Sequence, residues 1–312
     1  MTAIPSTDLD VFPLCLGGNV FGWTADRDAT FAVLDAYAEA GGNFVDTADS
    51  YSHWVPGHRG GESEALIGEW LQSRGNRDRM VVATKVFSHP DRPGLSAPNI
   101  RAAAEDSLRR LRTDRIDLYY AHHPDPDIPA EETLGAFDEL VRAGKVRYVA
   151  VSNHSPSAVA HALSTSEREG LPRYVASQDE YNLMERAGYE NGLRDVVEQA
   201  GMAELPYFGL ARGFLTGKYR PGGAAVDSPR AGAAMAYLDA RGERVLAALD
   251  AIAAEHETTV AAVALGWLVA QPTVVAAIAS ARTVEQLADL LPVAQLHLSD
   301  AEVARLTAAS ES

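Results

Sequence analysis

Short apolar runs alternate with longer amphipathic stretches along almost the whole chain, and this alternation restricts the possible folds more than any other feature. The pattern is typical of repeated strand–helix units, in which each helix returns the chain so that successive strands pair in parallel. Eight apolar runs have the length and composition of strands. We predict strands at Phe12–Leu16, Asn43–Asp46, Val81–Lys85, Ile116–Tyr120, Val146–Val151, Tyr174–Ser177, Ala203–Phe208 and Val274–Ile278.

The stretches between and after these strands predict the helices. The helices are expected at Asp28–Ala40, Glu62–Ser73, Pro98–Leu111, Glu131–Ala143, Ser155–Glu169, Leu193–Ala200, Met235–His256, Thr259–Ala270, Val284–Leu291 and Ser299–Ala309. Asp26, Ser96 and Ser155 are suitable N-cap residues, because a short side-chain oxygen can accept a hydrogen bond from the first helical turn. Gly41 and Gly144 are suitable helix stops.

Eight strand–helix units in 312 residues favour a closed barrel over an open, doubly wound sheet. No G-x-G-x-x-G sequence stands at a strand-to-helix junction, as an open dinucleotide-binding sheet would require. No linker or low-complexity tract divides the chain. We therefore predict an α/β protein with one domain over residues 1–312, a (β/α)8 TIM barrel with parallel strands.

The composition excludes several classes of protein. The chain has 43 acidic and 27 basic residues, and its net charge of −16 repels nucleic acid and anionic membranes. Its apolar runs are shorter than the roughly 18–20 residues that span a bilayer. Its one cysteine, Cys15, cannot form an internal disulfide or a cysteine-based zinc cluster. Met1–Asp10 has no signal-peptide pattern, so we expect a cytoplasmic protein without nucleic-acid or membrane partners.

Polar side chains follow three successive predicted strands. Asp46 ends the second strand and Tyr51 follows five residues later, Lys85 ends the third, and His122 and His123 follow the fourth. Each residue has an ordinary structural role when taken alone, such as capping a turn or reaching solvent. In a parallel barrel, however, all these positions lie at the C-terminal face, where active sites are built. We therefore expect one shared site.

These residue types suit the reduction of a carbonyl group. A proton must reach the developing alkoxide, and a free tyrosine, with a pKa of about 10, is a poor donor near neutrality. A nearby ammonium, Lys85, is expected to lower the pKa of Tyr51. Asp46 would keep buried Lys85 charged, and His122 would donate a hydrogen bond to the carbonyl oxygen.

The four residues and the strings around them resemble the aldo-keto reductase superfamily over nearly the whole chain. The resemblance rests on FVDTADSY (44–51), MVVATKV (80–86), IDLYYAHHPD (116–125) and VSN (151–153). It implies an NADPH-dependent oxidoreductase that reversibly reduces an aldehyde or ketone to an alcohol. Its catalytic residues would be Asp46, Tyr51, Lys85 and His122, and the D-L-Y-x-x-H spacing selects His122 over His123.

The resemblance also implies a cofactor site. Ser152, Asn153 and Gln178 would bind the nicotinamide carboxamide, and Tyr207 would stack on the nicotinamide ring. The remaining cofactor contacts would be Gly18, Asn19, Asp46, Phe208, Leu210, Arg212, Lys218, Arg230, Ser280, Arg282 and Gln286. Arg282 would hold the adenosine 2′-phosphate, because a guanidinium matches a phosphate bidentately. NADPH is therefore favoured, and NADH stays possible because Ser280 and Leu290 depart from the commoner pattern.

The substrate pocket is predicted less sharply. Trp23 and Trp54 are candidates for an apolar wall, with His123 as a polar neighbour, although both tryptophans could equally anchor loops.

Two other functions stay open. The chain could be a non-catalytic, NADP(H)-binding regulatory protein on the same scaffold. A metal-dependent hydrolase using His122, His123, Asp117 and Asp125 is disfavoured, because adjacent residues of a strand, such as the two histidines, point to opposite sides, and we expect no metal.

Overall fold

Eight parallel strands form one sheet in a computed structural model of the chain, which describes residues 1–223 and 225–311. The strands are β1 Leu14–Gly17, β2 Phe44–Asp46, β3 Val81–Val86, β4 Ile116–Ala121, β5 Val146–Ser152, β6 Tyr174–Gln178, β7 Ala203–Glu204 and β8 Ala277–Ala279. Each strand pairs with the next in the chain, from β1 to β7, and β8 pairs with β1. The predicted fold class, a (β/α)8 barrel with parallel strands, is confirmed.

The two ends of this sheet meet and close the barrel. Glu204 of β7 forms a parallel bridge with Val274, just before β8. The Glu204 amide donates to the Thr273 carbonyl oxygen at 2.8 Å, and the Ile278 amide donates to the Pro206 carbonyl oxygen at 2.9 Å. These contacts leave the sheet without a free edge.

Twelve helices are assigned in the described ranges. They are α1 Arg27–Glu39, α2 Glu62–Arg74, α3 Ala97–Leu111, α4 Ala130–Arg142, α5 Pro156–Glu169, α6 Ala187–Glu190, α7 Leu193–Gln199, α8 Ala231–Met235, α9 Ala240–Glu255, α10 Val260–Val269, α11 Val284–Ala288 and α12 Asp300–Ala309. The large core lies between the helices and the strands. A smaller core fills the barrel and includes Cys15, Phe44 and Leu118. None of the described helices is long and apolar enough to cross a membrane.

A short hairpin of Thr2–Ala3 and Asp10–Val11 contributes to the interior core through Ile4, Leu9 and Val11. These apolar residues pack with the inward-facing side chains of the strands and not with those that face the helices. The opposite end of the barrel, where the strands finish, stays available for polar side chains.

Two strand predictions were partly wrong. The expected strand Ala203–Phe208 is regular only over Ala203–Glu204, since Pro206 has no amide to donate and Phe208 adopts a positive φ of 53°. The last strand is Ala277–Ala279 instead of Val274–Ile278.

The expected helix Met235–His256 was also wrong at its start. One helix ends at Met235 and the next begins at Ala240, because the Asp239 side chain accepts the Gly242 amide hydrogen and caps the second helix.

Helix-end predictions also differ in two places. The expected helix Val284–Leu291 ends at Ala288, and a 3₁₀ turn follows over Leu291–Ala294. Ser96 lies at the N-cap of α3, but its side chain accepts no hydrogen bond there, and Pro98 provides no amide hydrogen to bind. The predicted single domain over 1–312 includes Ala224 and Ser312, which lie outside the described residues.

Candidate active site

A cavity of about 800 Å³ opens at the C-terminal ends of the barrel strands. Asp46 ends β2, His122 follows β4, Ser152 ends β5 and Gln178 ends β6, and all four line this cavity. Strand pairing explains their convergence, since Asp46 lies beside Ala83 of β3, and Ser152 lies beside Gln178. The parallel arrangement therefore gathers polar residues from distant parts of the chain.

Lys85 is the centre of the buried polar contacts. Its side chain is completely buried, and its Nζ donates to Asp46 Oδ2 at 2.5 Å, to the Thr47 carbonyl oxygen at 2.8 Å and to the Tyr51 hydroxyl oxygen at 3.0 Å. These three bonds use all the donors of an ammonium. The Tyr51 hydroxyl accepts from Lys85 and donates to Asp46 Oδ2 over a long 3.5 Å. A nearer acceptor in the cavity would therefore compete well for this hydrogen.

The pKa of Tyr51, beside Lys85 and Asp46, shifts in the direction opposite to the expected one. Burial lowers the pKa of Lys85, but the charge of Asp46 and the Tyr51 hydroxyl outweigh it, so the pKa of Lys85 is raised. Burial raises the pKa of Tyr51 to about 12, against the lowering effect of Lys85. The predicted lowering of the Tyr51 pKa was therefore wrong for this structure, because desolvation of the phenolate outweighs the nearby ammonium.

His122 lies close to Tyr51 as a neutral imidazole. The two ring centroids are 6.1 Å apart at an angle of 71°. Burial, with the charge of Lys85, lowers the pKa of His122 well below its ordinary value. Nδ1 of His122 is buried and has no hydrogen-bond partner within the described part of the chain. A neutral imidazole can donate through one nitrogen and accept through the other.

The two adjacent histidines lie on the same side, and the expectation that they point apart was wrong. Their rings stack at 4.8 Å with an interplanar angle of 19°, and both line the cavity. The alternation of side chains applies within a strand, but β4 ends at Ala121, so neither histidine is held to it. Across residues 1–223 and 225–311, no group of three histidine, cysteine, aspartate or glutamate side chains could hold a metal.

Hydrogen bonds join residues that lie at or just after the ends of β5, β6 and β7, including one from Asn153 Nδ2 to Ser152 Oγ at 2.9 Å. The Ser152 hydroxyl donates to the Gln178 carbonyl oxygen at 2.8 Å, and Gln178 Nε2 donates to Asp46 Oδ1 at 2.9 Å. The Tyr207 hydroxyl donates to Asn153 Oδ1 at 2.7 Å. These contacts place the predicted nicotinamide residues around one wall of the cavity, next to Asp46.

Four cationic side chains line another part of the cavity, although the chain as a whole is strongly acidic. Arg212 pairs with Glu180 at 3.1 Å. No such ion pair is found for Lys218, Arg230 or Arg282 in the part of the chain that the structure describes. Burial and the neighbouring charge of Arg282 lower the pKa of Lys218. This concentration of uncompensated positive charge is suited to an anionic ligand.

An aromatic wall lies beside Tyr51. The Trp23 and Trp54 rings meet edge to face at 5.6 Å, and the Trp54 and Tyr51 centroids are 6.2 Å apart. Trp54 is 42% exposed, which leaves part of this apolar surface open to a ligand. The guanidinium of Arg230 lies 5.6 Å from the Trp23 ring, where the aromatic wall meets the cationic region.

The predicted site residues converge on this cavity, with two exceptions. Lys85 lies behind Asp46 and Tyr51. Gly18 does not line the cavity, since a Cβ there would point at Ser63 Oγ, 2.9 Å away. Its neighbour Gly17 lines the cavity, along with Asn19, Phe208, Leu210, Ser280, Gln286, Trp23, Trp54 and His123.

Several lining residues were missed by the sequence reasoning. They are Gly17, Thr24, Gly209, Gly213, Thr216, Ser228, Pro229, Thr259, Ala261, Ala279 and Asp289. Thr259, the N-cap of α10, could have been found from its position before an apolar helix. The others carry no residue-type signal, because small or common residues in strand ends, a helix start and long loops reach the cavity only through the path of the chain.

Comparison with known proteins identifies the family. The model of the Aldo/keto reductase family matches residues 13–311. The chain is 32% identical to Protein tas of Escherichia coli, over 98% of this chain and 96% of the relative, and 34% identical to the uncharacterized oxidoreductase YrpG of Bacillus subtilis, over 98% and 94%. It is 32% identical to norsolorinic acid reductase stcV of Emericella nidulans, over 96% and 78%. The resemblance is thus confirmed, and the chain belongs to the aldo/keto reductase family.

Proposed function

We propose that this chain is an NADPH-dependent reductase that converts an aldehyde or ketone into an alcohol, with Tyr51 as the proton donor. The observation that carries the proposal is the contact of Lys85 Nζ with the Tyr51 hydroxyl at 3.0 Å, in a cavity shared with His122. Membership of the family supports the reaction class, since its members are oxidoreductases that act on small carbonyl compounds and generally use nicotinamide cofactors.

The side chains present fit such a cofactor. Ser152, Asn153 and Gln178 offer amide and hydroxyl groups to a carboxamide, and Tyr207 offers a ring for stacking. Lys218, Arg212 and Arg230 would neutralise the pyrophosphate. Further contacts would come from Asn19, Phe208, Leu210, Ser280 and Gln286. When bound, the cofactor supplies a hydride to the carbonyl carbon.

The protein's own residues would manage the charge that develops on the carbonyl oxygen. His122, kept neutral by burial, would donate a hydrogen bond that orients this oxygen and stabilises its negative charge. Tyr51, with a pKa raised to about 12, is protonated at neutral pH but stays more acidic than the alcohol that forms, so it would transfer its hydroxyl proton to the same oxygen. Lys85, held charged by Asp46, would stabilise the phenolate that remains.

Tyr51→Phe tests this role. The phenyl ring keeps the packing against Trp54 but removes the proton, so we expect carbonyl turnover to fall by at least about 100-fold while NADPH binding stays nearly unchanged. Steady-state oxidation of NADPH with a panel of aldehydes and ketones measures the first, and cofactor titration measures the second. Near-normal turnover would remove Tyr51 from the mechanism.

The preference for NADPH over NADH would come from Arg282. Its side chain lines the cavity without an ion-pair partner in the described ranges, and Gln286 Oε1 accepts its backbone amide hydrogen at 3.0 Å. Arg282→Ala should raise the Kd of NADPH by about tenfold or more, with a much smaller effect on NADH, because only NADPH carries the 2′-phosphate. An equal change in both would assign Arg282 to another part of the cofactor.

The aromatic wall of Trp23 and Trp54, with His123 beside it, would bind the substrate. Flat aromatic aldehydes and ketones are the first compounds to test, since edge and face contacts with indole rings favour them. Tight NADPH binding without turnover of any carbonyl compound would instead favour the non-catalytic regulatory protein.

A further inference from the structure

Asp179 lies immediately behind the cofactor wall, one residue after β6. It is only 7% exposed, and it does not itself line the cavity. One carboxylate oxygen accepts the Asn153 amide hydrogen at 3.1 Å, and the other accepts the Ser177 hydroxyl hydrogen. Its backbone carbonyl oxygen accepts the Tyr207 amide hydrogen at 2.9 Å. Asp179 therefore contacts both Asn153 and Tyr207 from behind.

Asn153 needs such support because of its backbone. It has a φ of +62°, in the left-handed region that most residues with a Cβ avoid. A second acceptor for its amide hydrogen, the Gln178 carbonyl oxygen, lies farther away at 3.4 Å. The Asp179 carboxylate is thus the nearer of the two groups that hold this amide in place.

The orientation of Asn153 determines the positions of its neighbours. Its Oδ1 accepts from the Tyr207 hydroxyl at 2.7 Å, and its Nδ2 donates to the His122 carbonyl oxygen at 3.0 Å. A change in the Asn153 backbone would therefore move the Tyr207 ring and disturb the loop that carries His122.

A second buried acid next to Asp179 influences where the negative charge resides. Glu204 Oε1 accepts the Asp179 amide hydrogen at 3.1 Å. Burial, with the charge of Asp179, raises the pKa of Glu204 well above its ordinary value, whereas burial raises the pKa of Asp179 to about 6. Burial thus disfavours the charged form of both acids, but the hydrogen bonds that the Asp179 carboxylate accepts from Ser177 and Asn153 oppose this effect.

We propose that Asp179 is a positioning residue for the nicotinamide half of the cofactor, acting through its bond to the Asn153 amide and its backbone contact with Tyr207. The inference rests on the proposed function, because it assumes that Asn153 and Tyr207 bind the nicotinamide. Asp179 does not touch the cofactor in this proposal. It determines whether the residues in front of it are correctly placed.

The test compares two ligands that differ only in the part concerned. NADPH contains the nicotinamide, whereas 2′-phospho-ADP-ribose keeps the adenine, the 2′-phosphate and the pyrophosphate without it. Asp179→Ala and Asp179→Val both remove the acceptor, and valine does so without leaving a cavity. We expect the Kd of NADPH to rise about tenfold in either variant, with that of 2′-phospho-ADP-ribose changed by less than about twofold.

Two further variants serve as controls. Asp179→Asn keeps an acceptor oxygen for the Asn153 amide, so it should bind NADPH nearly as the wild type does. Asp117→Asn alters another buried carboxylate that accepts a backbone amide hydrogen, from Val82 at 2.9 Å, away from the cavity. It should change stability without changing the ratio of the two Kd values.

The outcomes separate this inference from the proposed function. A wild-type protein that binds neither ligand would contradict the cofactor assignment itself. In another outcome, the wild type binds both ligands while Asp179→Ala and Asp179→Val change the two Kd values equally or leave both unchanged. That result would overturn the positioning role alone. Failure of both variants to fold, while Asp179→Asn folds normally, would make Asp179 a structural residue and would also overturn it.

Discussion

Lys85 shows how completely one side chain depends on its partner. Both Lys85 and Asp46 are buried, and each would be strongly disfavoured as a lone charge in the barrel interior. Their contact joins two strands at the point where the cavity begins. A site that holds an ammonium against a phenol therefore requires a carboxylate that keeps the ammonium charged.

Removing the ammonium should destabilise the fold as well as the chemistry. In Lys85→Met, Asp46 stays buried without its cation, so we expect the free energy of unfolding to fall by about 3–5 kcal/mol. Urea denaturation measures the change. Arg101→Met, which breaks the exposed pair with Glu139, is the matched control and should cost less than about 1 kcal/mol.

A double variant distinguishes loss of the pair from loss of packing. Asp46→Asn combined with Lys85→Met removes both charges, so it should recover part of the stability lost in Lys85→Met. If the loss of stability in the double variant equals the sum of the losses in the two single variants, the two side chains are not energetically coupled.

The pH dependence of reduction follows from two shifts of opposite sign. The raised pKa of Tyr51, about 12, keeps its proton as the pH rises, and it is lost only near that value. The lowered pKa of His122 keeps the imidazole neutral as the pH falls below its ordinary range. The kcat/KM for the carbonyl substrate should therefore be nearly constant between about pH 6 and pH 9. A decline with a midpoint inside that range would contradict this assignment of protonation states.

At the scale of elements, the close approach of α2 and α3 depends on a glycine. A Cβ on Gly68 would lie 2.6 Å from the Leu111 carbonyl carbon and against the Arg110 backbone, neither of which can move without shifting α3. This contact helps to fix α2, whose first turn holds Glu64 in an ion pair with Arg110 at 2.6 Å. Helix packing thereby supports the loop that precedes α2 and carries Tyr51.

Two glycine variants test this packing. Gly68→Ala should lower the free energy of unfolding by about 1–3 kcal/mol, because the added methyl group overpacks the interface. Gly135→Ala, in α4, meets nothing within 4 Å and should stabilise the protein by up to about 1 kcal/mol. Thermal or urea unfolding of both variants gives the comparison, and equal effects would contradict the packing argument.

At the scale of the molecule, the charge distribution separates two tasks. The net charge of −16 is spread over the chain, whereas Arg212, Lys218, Arg230 and Arg282 line one cavity. An anionic cofactor would therefore be repelled by most of the surface and attracted at one place, which favours correct binding over non-specific association.

Binding at this place should stabilise the whole barrel. NADPH at about 100 times its Kd should raise the free energy of unfolding by about 2.7 kcal/mol if it binds only the folded state. If Arg282→Ala raises the Kd about tenfold, the shift should fall to about 1.4 kcal/mol at the same NADPH concentration. Unfolding in urea with and without NADPH measures it, and no shift in the wild type at saturation would argue against the cofactor site.

The sequence alone determined the eight strand–helix units and the family, because hydrophobic periodicity and the residues at strand ends are local properties. It also placed Asp46, Tyr51, Lys85 and His122 at successive strand ends. The tertiary structure decided what depends on distant neighbours. Burial reversed the expected pKa shift of Tyr51, and chain folding brought Asp179 behind Asn153. Desolvation and packing are sums over residues far apart in the chain, and no local pattern contains them.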